Sequence, residues 1–160
     1  MGDGRRLACG NCGKVFVAKT GVGMSFPSVY RKGIKDIKSG KYGEEFKEMM
    51  KSRKDIVVDF EEYLFVCDKC GDWYTNYGFD FYVPKTKEEK EKVLKKDYYF
   101  CNWTGKENYE LFLKINHRWG KCKSEMRRIN NDKNSNDKLG VLKCPECNSE
   151  LKEDGWILWD

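Results

Sequence analysis

Eight cysteines supply most of the reactive chemistry in this 160-residue chain. Six of them stand in three C-x-x-C steps: Cys9-Gly-Asn-Cys12, Cys67-Asp-Lys-Cys70 and Cys144-Pro-Glu-Cys147. Two thiolates separated by two residues on a tight turn can both point at one ion about 2.3 Å away, and two such turns complete the tetrahedron that zinc accepts. Backbone N–H groups of the turn can donate to the sulfurs and spread their negative charge. The residue after each second cysteine needs a positive φ, which Gly tolerates best and Asn next. Here those residues are Gly13, Gly71 and Asn148, and Pro145 stiffens the third turn by fixing φ. The competing chemistry, thiol redox, places a C-x-x-C ahead of a helix in a βαβ setting. The residues around these hooks read as strands, which favours a metal and leaves thiol redox as the alternative.

With those residues in view, the hooks resemble the zinc knuckles of zinc-ribbon and rubredoxin-like proteins. The resemblance covers the hooks alone and implies no activity. It implies metal ligation by Cys9, Cys12, Cys67, Cys70, Cys144 and Cys147, with two knuckles, each on a hairpin, sharing one ion. Three hooks offer six sulfurs where one closed site takes four. Either one hook stays unpaired, or Cys101 and Cys122 complete a second site. Loop-closure entropy favours a sequential grouping of Cys9/Cys12/Cys67/Cys70 with Cys101/Cys122/Cys144/Cys147. The closeness of chain termini in compact domains favours a nested one, with Cys9/Cys12 and Cys144/Cys147 together. Mixed ligation including His117, the single histidine, is a third arrangement, although a hydrogen-bonded structural role suits that residue better. Cys101 and Cys122 also fit as buried small hydrophobes. One or two zinc ions are expected, and because four thiolates serve both metals, iron is not excluded.

The elements that must position the hooks follow from the local patterns. Val15-Phe16-Val17 reads as the return strand of a hairpin after the first hook, and the glycine-bearing stretch 20–25 as a loop. Pro27, with Val29, Tyr30, Ile34 and Ile37, predicts a helix ending near Gly40. Phe46, Met49 and Met50 predict a second helix over 43–53, making a helical insertion over about 27–54. The run from Ile56 to Val66 predicts a strand entering the second hook, with returning strands at 73–75 and 79–83. Thr86 and Glu89 have capping-box spacing ahead of an exposed helix over 87–96. Segment 109–115 fits alternation and helical spacing alike, and is read as helix. Segment 130–138 has no apolar residue and is expected to be a mobile loop. The third hook sits between a strand near 139–143 and another reaching Trp156 and Trp159. The expectation is one α+β domain over 1–160, with small antiparallel hairpins of zinc-ribbon type and inserted helices.

Composition bounds the function. At 39% hydrophobic and 14% aromatic residues the chain is too rich in large rings to be disordered throughout. No apolar run approaches the roughly 18–20 residues of a membrane helix, and the first nine residues lack a secretory apolar stretch, so a soluble cytoplasmic protein with no membrane partner is expected. The net charge of +5 is mild and selects no partner. One histidine, no H-E-x-x-H, no phosphate loop and no G-x-S-x-G elbow argue against the common enzyme sites. A non-catalytic zinc-binding interaction module remains, with a protein or a nucleic acid as partner. Candidates for phosphate contact are Arg118, Lys121, Lys123, Arg127 and Arg128, beside Trp119 for base stacking. Exposed Trp156 and Trp159 would suit a protein partner. Rubredoxin-like electron transfer or thiol redox is the alternative.

Overall fold

The computed structural model describes residues 2–101, 105–129 and 141–159. In chain order they form β1 (Gly2–Cys9), β2 (Val15–Thr20), α1 (Phe26–Lys38), α2 (Glu44–Ser52), β3 (Val57–Val58), β4 (Glu62–Val66), β5 (Trp73–Tyr77), β6 (Phe81–Pro84), α3 (Lys87–Val93), β7 (Tyr109–Leu113), β8 (Arg127–Ile129) and β9 (Leu151–Trp159). This is an α+β chain whose strands pair antiparallel throughout. Two compact units are present, each assembled from separate stretches of sequence. No helix among the described residues is long and apolar enough to cross a membrane.

The first unit takes residues 2–24, 61–77 and 116–159 and carries seven of the eight cysteines. Its two sheets have the same plan. In one the order is β2-β1-β9, in the other β5-β4-β8. In each, the central strand enters a C-x-x-C hook, the next strand returns from it, and a strand from much later in the chain pairs on the other side. Leu7, Ala18, Leu64, Val66, Ile129 and Leu142 are all at or below 1% exposure and form one core between the sheets, together with Cys9 and Cys144. Each fully buried aliphatic side chain contributes about 1.5–3 kcal/mol relative to exposure.

The second unit takes residues 25–60 and 78–115 and holds the helices and the sheet β3-β6-β7. Phe26, Tyr30, Gly33 and Ile37 give α1 one buried stripe at helical spacing. Gly33 is required by close approach, since a Cβ there would collide with the Phe60 ring. The Phe60 ring is held edge-on by Tyr30 and Phe79, both at 5.8 Å. At the start of α3 the Thr86 hydroxyl accepts from the Glu89 N–H at 3.2 Å, while the Glu89 carboxylate turns to Lys92 and to the buried Tyr109 hydroxyl.

Several elements depart from the sequence reading. Segment 109–113 is a strand, because β6 offers an open edge from Phe81 to Pro84, and Tyr109 alone is buried, leaving no helical stripe to cover. The run 56–66 is broken into β3 and β4, since Asp59 exchanges backbone hydrogen bonds with Phe79 and Asp80 and ends the first pairing. Helix α3 stops at Val93. The segment read as a mobile loop, 130–138, lies outside the described residues.

Candidate metal centre

Each hook is a turn closed by two backbone hydrogen bonds. In the first, the Cys9 N–H donates to Lys14 O and the Gly13 N–H to Cys9 O, both at 2.9 Å. Cys67 and Gly71 repeat the pair with Asp72 and Cys67 at 2.8 Å, and Cys144 and Asn148 repeat it with Ser149 and Cys144 at 2.8 and 2.9 Å. The fifth residue of each turn has the positive φ that its type suggested: +69° at Gly13, +76° at Gly71 and +59° at Asn148.

A fourth turn of the same construction lies where the sequence shows a single cysteine. The Trp119 N–H donates to Ser124 O at 3.0 Å, the Lys123 N–H to Trp119 O at 2.9 Å, and Lys123 has φ +56°. Beyond the turn the match continues: Met126 donates to His117 O as Leu151 donates to Leu142 O, and Arg118 bridges Glu125 as Lys143 bridges Glu150. Trp119 therefore stands where Cys144 stands, and Cys122 where Cys147 stands. The sequence does hold a trace of this, for Trp119-Gly-Lys-Cys122-Lys-Ser124 parallels Cys144-Pro-Glu-Cys147-Asn-Ser149 with one thiol exchanged.

The four turns meet in pairs. Strand β9 lies against β1, so the hooks at the two ends of the chain face each other, in the nested arrangement. The Sγ atoms of Cys9, Cys12, Cys144 and Cys147 all lie within 4.8 Å of one another, with Cys9 to Cys147 at 3.5 Å and Cys12 to Cys144 at 3.7 Å. Tetrahedral ligands about 2.3 Å from a zinc-sized ion are separated by about 3.8 Å, so the donor set fits such an ion. A disulfide needs about 2.05 Å, and none of the eight cysteines is disulfide-bonded. Strand β8 lies against β4 in the same way and brings Cys122 to Cys67 at 3.4 Å and to Cys70 at 3.8 Å, a second group of three sulfurs. Cys101 is buried in the other unit and belongs to neither group.

The surroundings favour the thiolate at Cys147 and Cys122 and oppose it at Cys12 and Cys70. Cys147 accepts from the Ser149 hydroxyl and backbone N–H and from the Asn11 side chain, which pull its pKa down to about 5. Ser124 does the same for Cys122, to about 7. At Cys12 the Lys14 backbone N–H also favours the thiolate, but partial burial and the crowding of Cys9, Cys144 and Cys147 outweigh it and push the thiol up to about 12. Burial foremost, with Cys67 and Cys122, raises Cys70 likewise to about 12, against the Asp72 N–H. A divalent cation beside Cys12 and Cys70 would supply the counter-charge that favours their thiolates.

The remaining candidates have other partners. His117 stacks on Phe65 with ring centroids 3.9 Å apart, and its Nδ1 lies 3.2 Å from the Tyr74 hydroxyl, outside the sulfur group. Of the basic stretch, Arg127 is held by both oxygens of Asp68 at 2.9 Å, and Arg128 lies over the Tyr63 ring at 4.4 Å. Lys121 sits 3.8 Å from Asp72, while Arg118 and Lys123 extend from the turn as exposed side chains. Trp159 is tied down, its indole N–H donating to Asp3 O and Thr20 O; Trp156 is 70% exposed.

A cavity of about 720 Å³ in the helical unit is lined, among the described residues, by aliphatic residues, tyrosines and cations such as Lys38, Lys54 and Lys95. No protein-family profile matches this chain, and neither a curated protein nor a solved structure matches it.

Proposed function

We propose that this chain is a metal-stabilised, non-catalytic interaction module whose Cys9/Cys12/Cys144/Cys147 group holds a structural zinc ion. The observation that carries this reading is the convergence of four sulfurs from the two ends of the chain, at separations suited to one tetrahedral ion. A closed set of four thiolates leaves no position for substrate, which suits structure rather than catalysis. None of the hooks opens a helix, which argues against the thioredoxin-like alternative.

A protein partner is favoured over a nucleic acid. Trp156 and Leu158 are 70% and 55% exposed on β9, an edge strand rooted directly in the third hook. A rigid, exposed aromatic on an unpaired edge is an anchor for association. The basic residues near Trp119 are largely spent on Asp68, Tyr63 and Asp72.

Native mass spectrometry with circular dichroism under chelation tests the metal. Bound zinc is expected, with loss of strand signal on its removal, since a structural ion contributes on the order of 10 kcal/mol, comparable to a domain's whole stability. Metal-free protein with an unchanged spectrum refutes the reading. A coloured protein with visible thiolate-to-iron absorption would instead establish the rubredoxin-like alternative.

A further inference from the structure

The structure assigns the second sulfur group a chemistry different from the first: a three-thiolate metal site whose fourth position takes a ligand from outside the chain. This rests on the reading above that the hooks hold metal. The two ribbons supply their own comparison. Cys67, Cys70 and Cys122 occupy the places of Cys9, Cys12 and Cys147, and the first-to-last sulfur distance is 3.4 Å in one and 3.5 Å in the other. Only the place of Cys144 is changed, to Trp119, in a turn with the same two hydrogen bonds.

Trp119 brings no ligand. An indole N–H is a donor only, and this one gives its hydrogen to Asp72 Oδ2 at 2.7 Å while the ring stacks on Tyr74 at 5.6 Å. Asp72 is thereby engaged by Trp119 and approached by Lys121, and its carboxylate is not among the atoms gathered within 4.8 Å of the three sulfurs. His117 is stacked on Phe65. Among the described residues no fourth Cys, His, Asp or Glu joins the group. Cys70 and Cys122 are partly exposed, so the group is accessible to solvent.

Three thiolates retain a thiophilic divalent ion with a net charge of −1 and leave one coordination position, filled by water until a better donor arrives. The ligand class is a soft or borderline donor: a thiolate or an imidazole, small or carried on a partner protein. Exchange is balanced by departure of the water, and a thiol that enters as thiolate releases its proton to solvent.

Anaerobic reconstitution of the full chain with Co²⁺, followed by titration with imidazole, distinguishes the two sites. The expected result is two cobalt ions per chain, with the d–d bands of one shifting on imidazole addition and those of the other unchanged. Trp119→Cys should abolish the shift by supplying the missing thiolate, and the wild-type titration stands by itself if that variant does not fold. Two ions with neither responding, or both responding, overturn the assignment. One tetrathiolate cobalt per chain overturns it too, yet leaves the structural site intact, whereas no bound cobalt refutes the metal reading as a whole.

Discussion

Gly13 and Gly71 hold the same place in two knuckles and have nearly the same backbone, φ +69° and +76°, yet alanine should affect them very differently. Any non-glycine residue in this left-handed region costs about 1–2 kcal/mol. At Gly13 nothing lies within 4 Å of the added Cβ, so the backbone cost is the whole effect. At Gly71 the Cβ would lie 2.5 Å from Lys143 Cγ and 2.9 Å from Val141 O. That segment cannot withdraw freely, because the Lys143 N–H donates to Gly71 O at 2.8 Å and the Trp73 indole donates to Lys143 O at 3.1 Å. Overpacking of this kind adds about 1–3 kcal/mol. Gly13→Ala should therefore destabilise by about 1–2 kcal/mol and Gly71→Ala by about 2–5 kcal/mol. For a chain of this size each kcal/mol lowers the thermal midpoint by about 2–4 °C. Urea denaturation of the metal-loaded protein, followed by tryptophan emission, measures both. Lys123→Gly is the converse test, since relief of a left-handed lysine should stabilise the fold by about 1 kcal/mol. Equal costs for the two alanines would refute the docking of the ribbons at Gly71, and a destabilising Lys123→Gly would refute the fourth knuckle.

Two further outcomes are expected. Asp55 is 4% exposed, accepts from Arg53 Nε at 2.9 Å and lies 3.4 Å from Lys90 Nζ. Burial opposes its charge, but the Arg53 hydrogen bond and its allies hold its pKa below the ordinary 3.8. A depressed folded pKa contributes stability above 3.8 that is lost as pH falls through the folded value. Asp55→Asn should accordingly cost about 1–3 kcal/mol at pH 7 and progressively less in acid, and urea midpoints showing a gap independent of pH would refute the pairing. Affinity for a single-stranded oligonucleotide should respond weakly to salt, because among the described residues Lys121, Arg127 and Arg128 have ion-pair or ring partners for their side chains, which leaves Arg118 and Lys123 of the basic stretch for phosphate. Two phosphate contacts give a log–log slope of about −1.4, and a slope beyond about −3 would show that Arg127, Arg128 and Lys121 leave their partners to bind the strand.

The hooks were legible because everything they need is local. A C-x-x-C step followed by Gly or Asn specifies both the thiols and the positive φ within five residues, and Gly13, Gly71 and Asn148 adopt it. Helices α1 and α2 were legible for the same reason, as Tyr30, Ile37 and Met50 fall on their buried stripes. The pairing of hooks was not. Loop-closure entropy changes so slowly with length that it cannot choose between partners, and the choice fell to strand β9, which places Leu151 opposite Cys9 across most of the chain. Strand β7 went unread because its conformation is set by the open edge of β6 rather than by its own spacing. Trp119 was hidden because a turn is recognised by its thiols, and this one keeps the backbone while giving up a sulfur. Sequence alone determined where the three C-x-x-C turns form, since turn geometry is a property of neighbouring residues. Only the tertiary structure decided which turns face each other and that one sulfur group has four members and the other three, because those follow from strand pairing and burial between residues far apart in the chain.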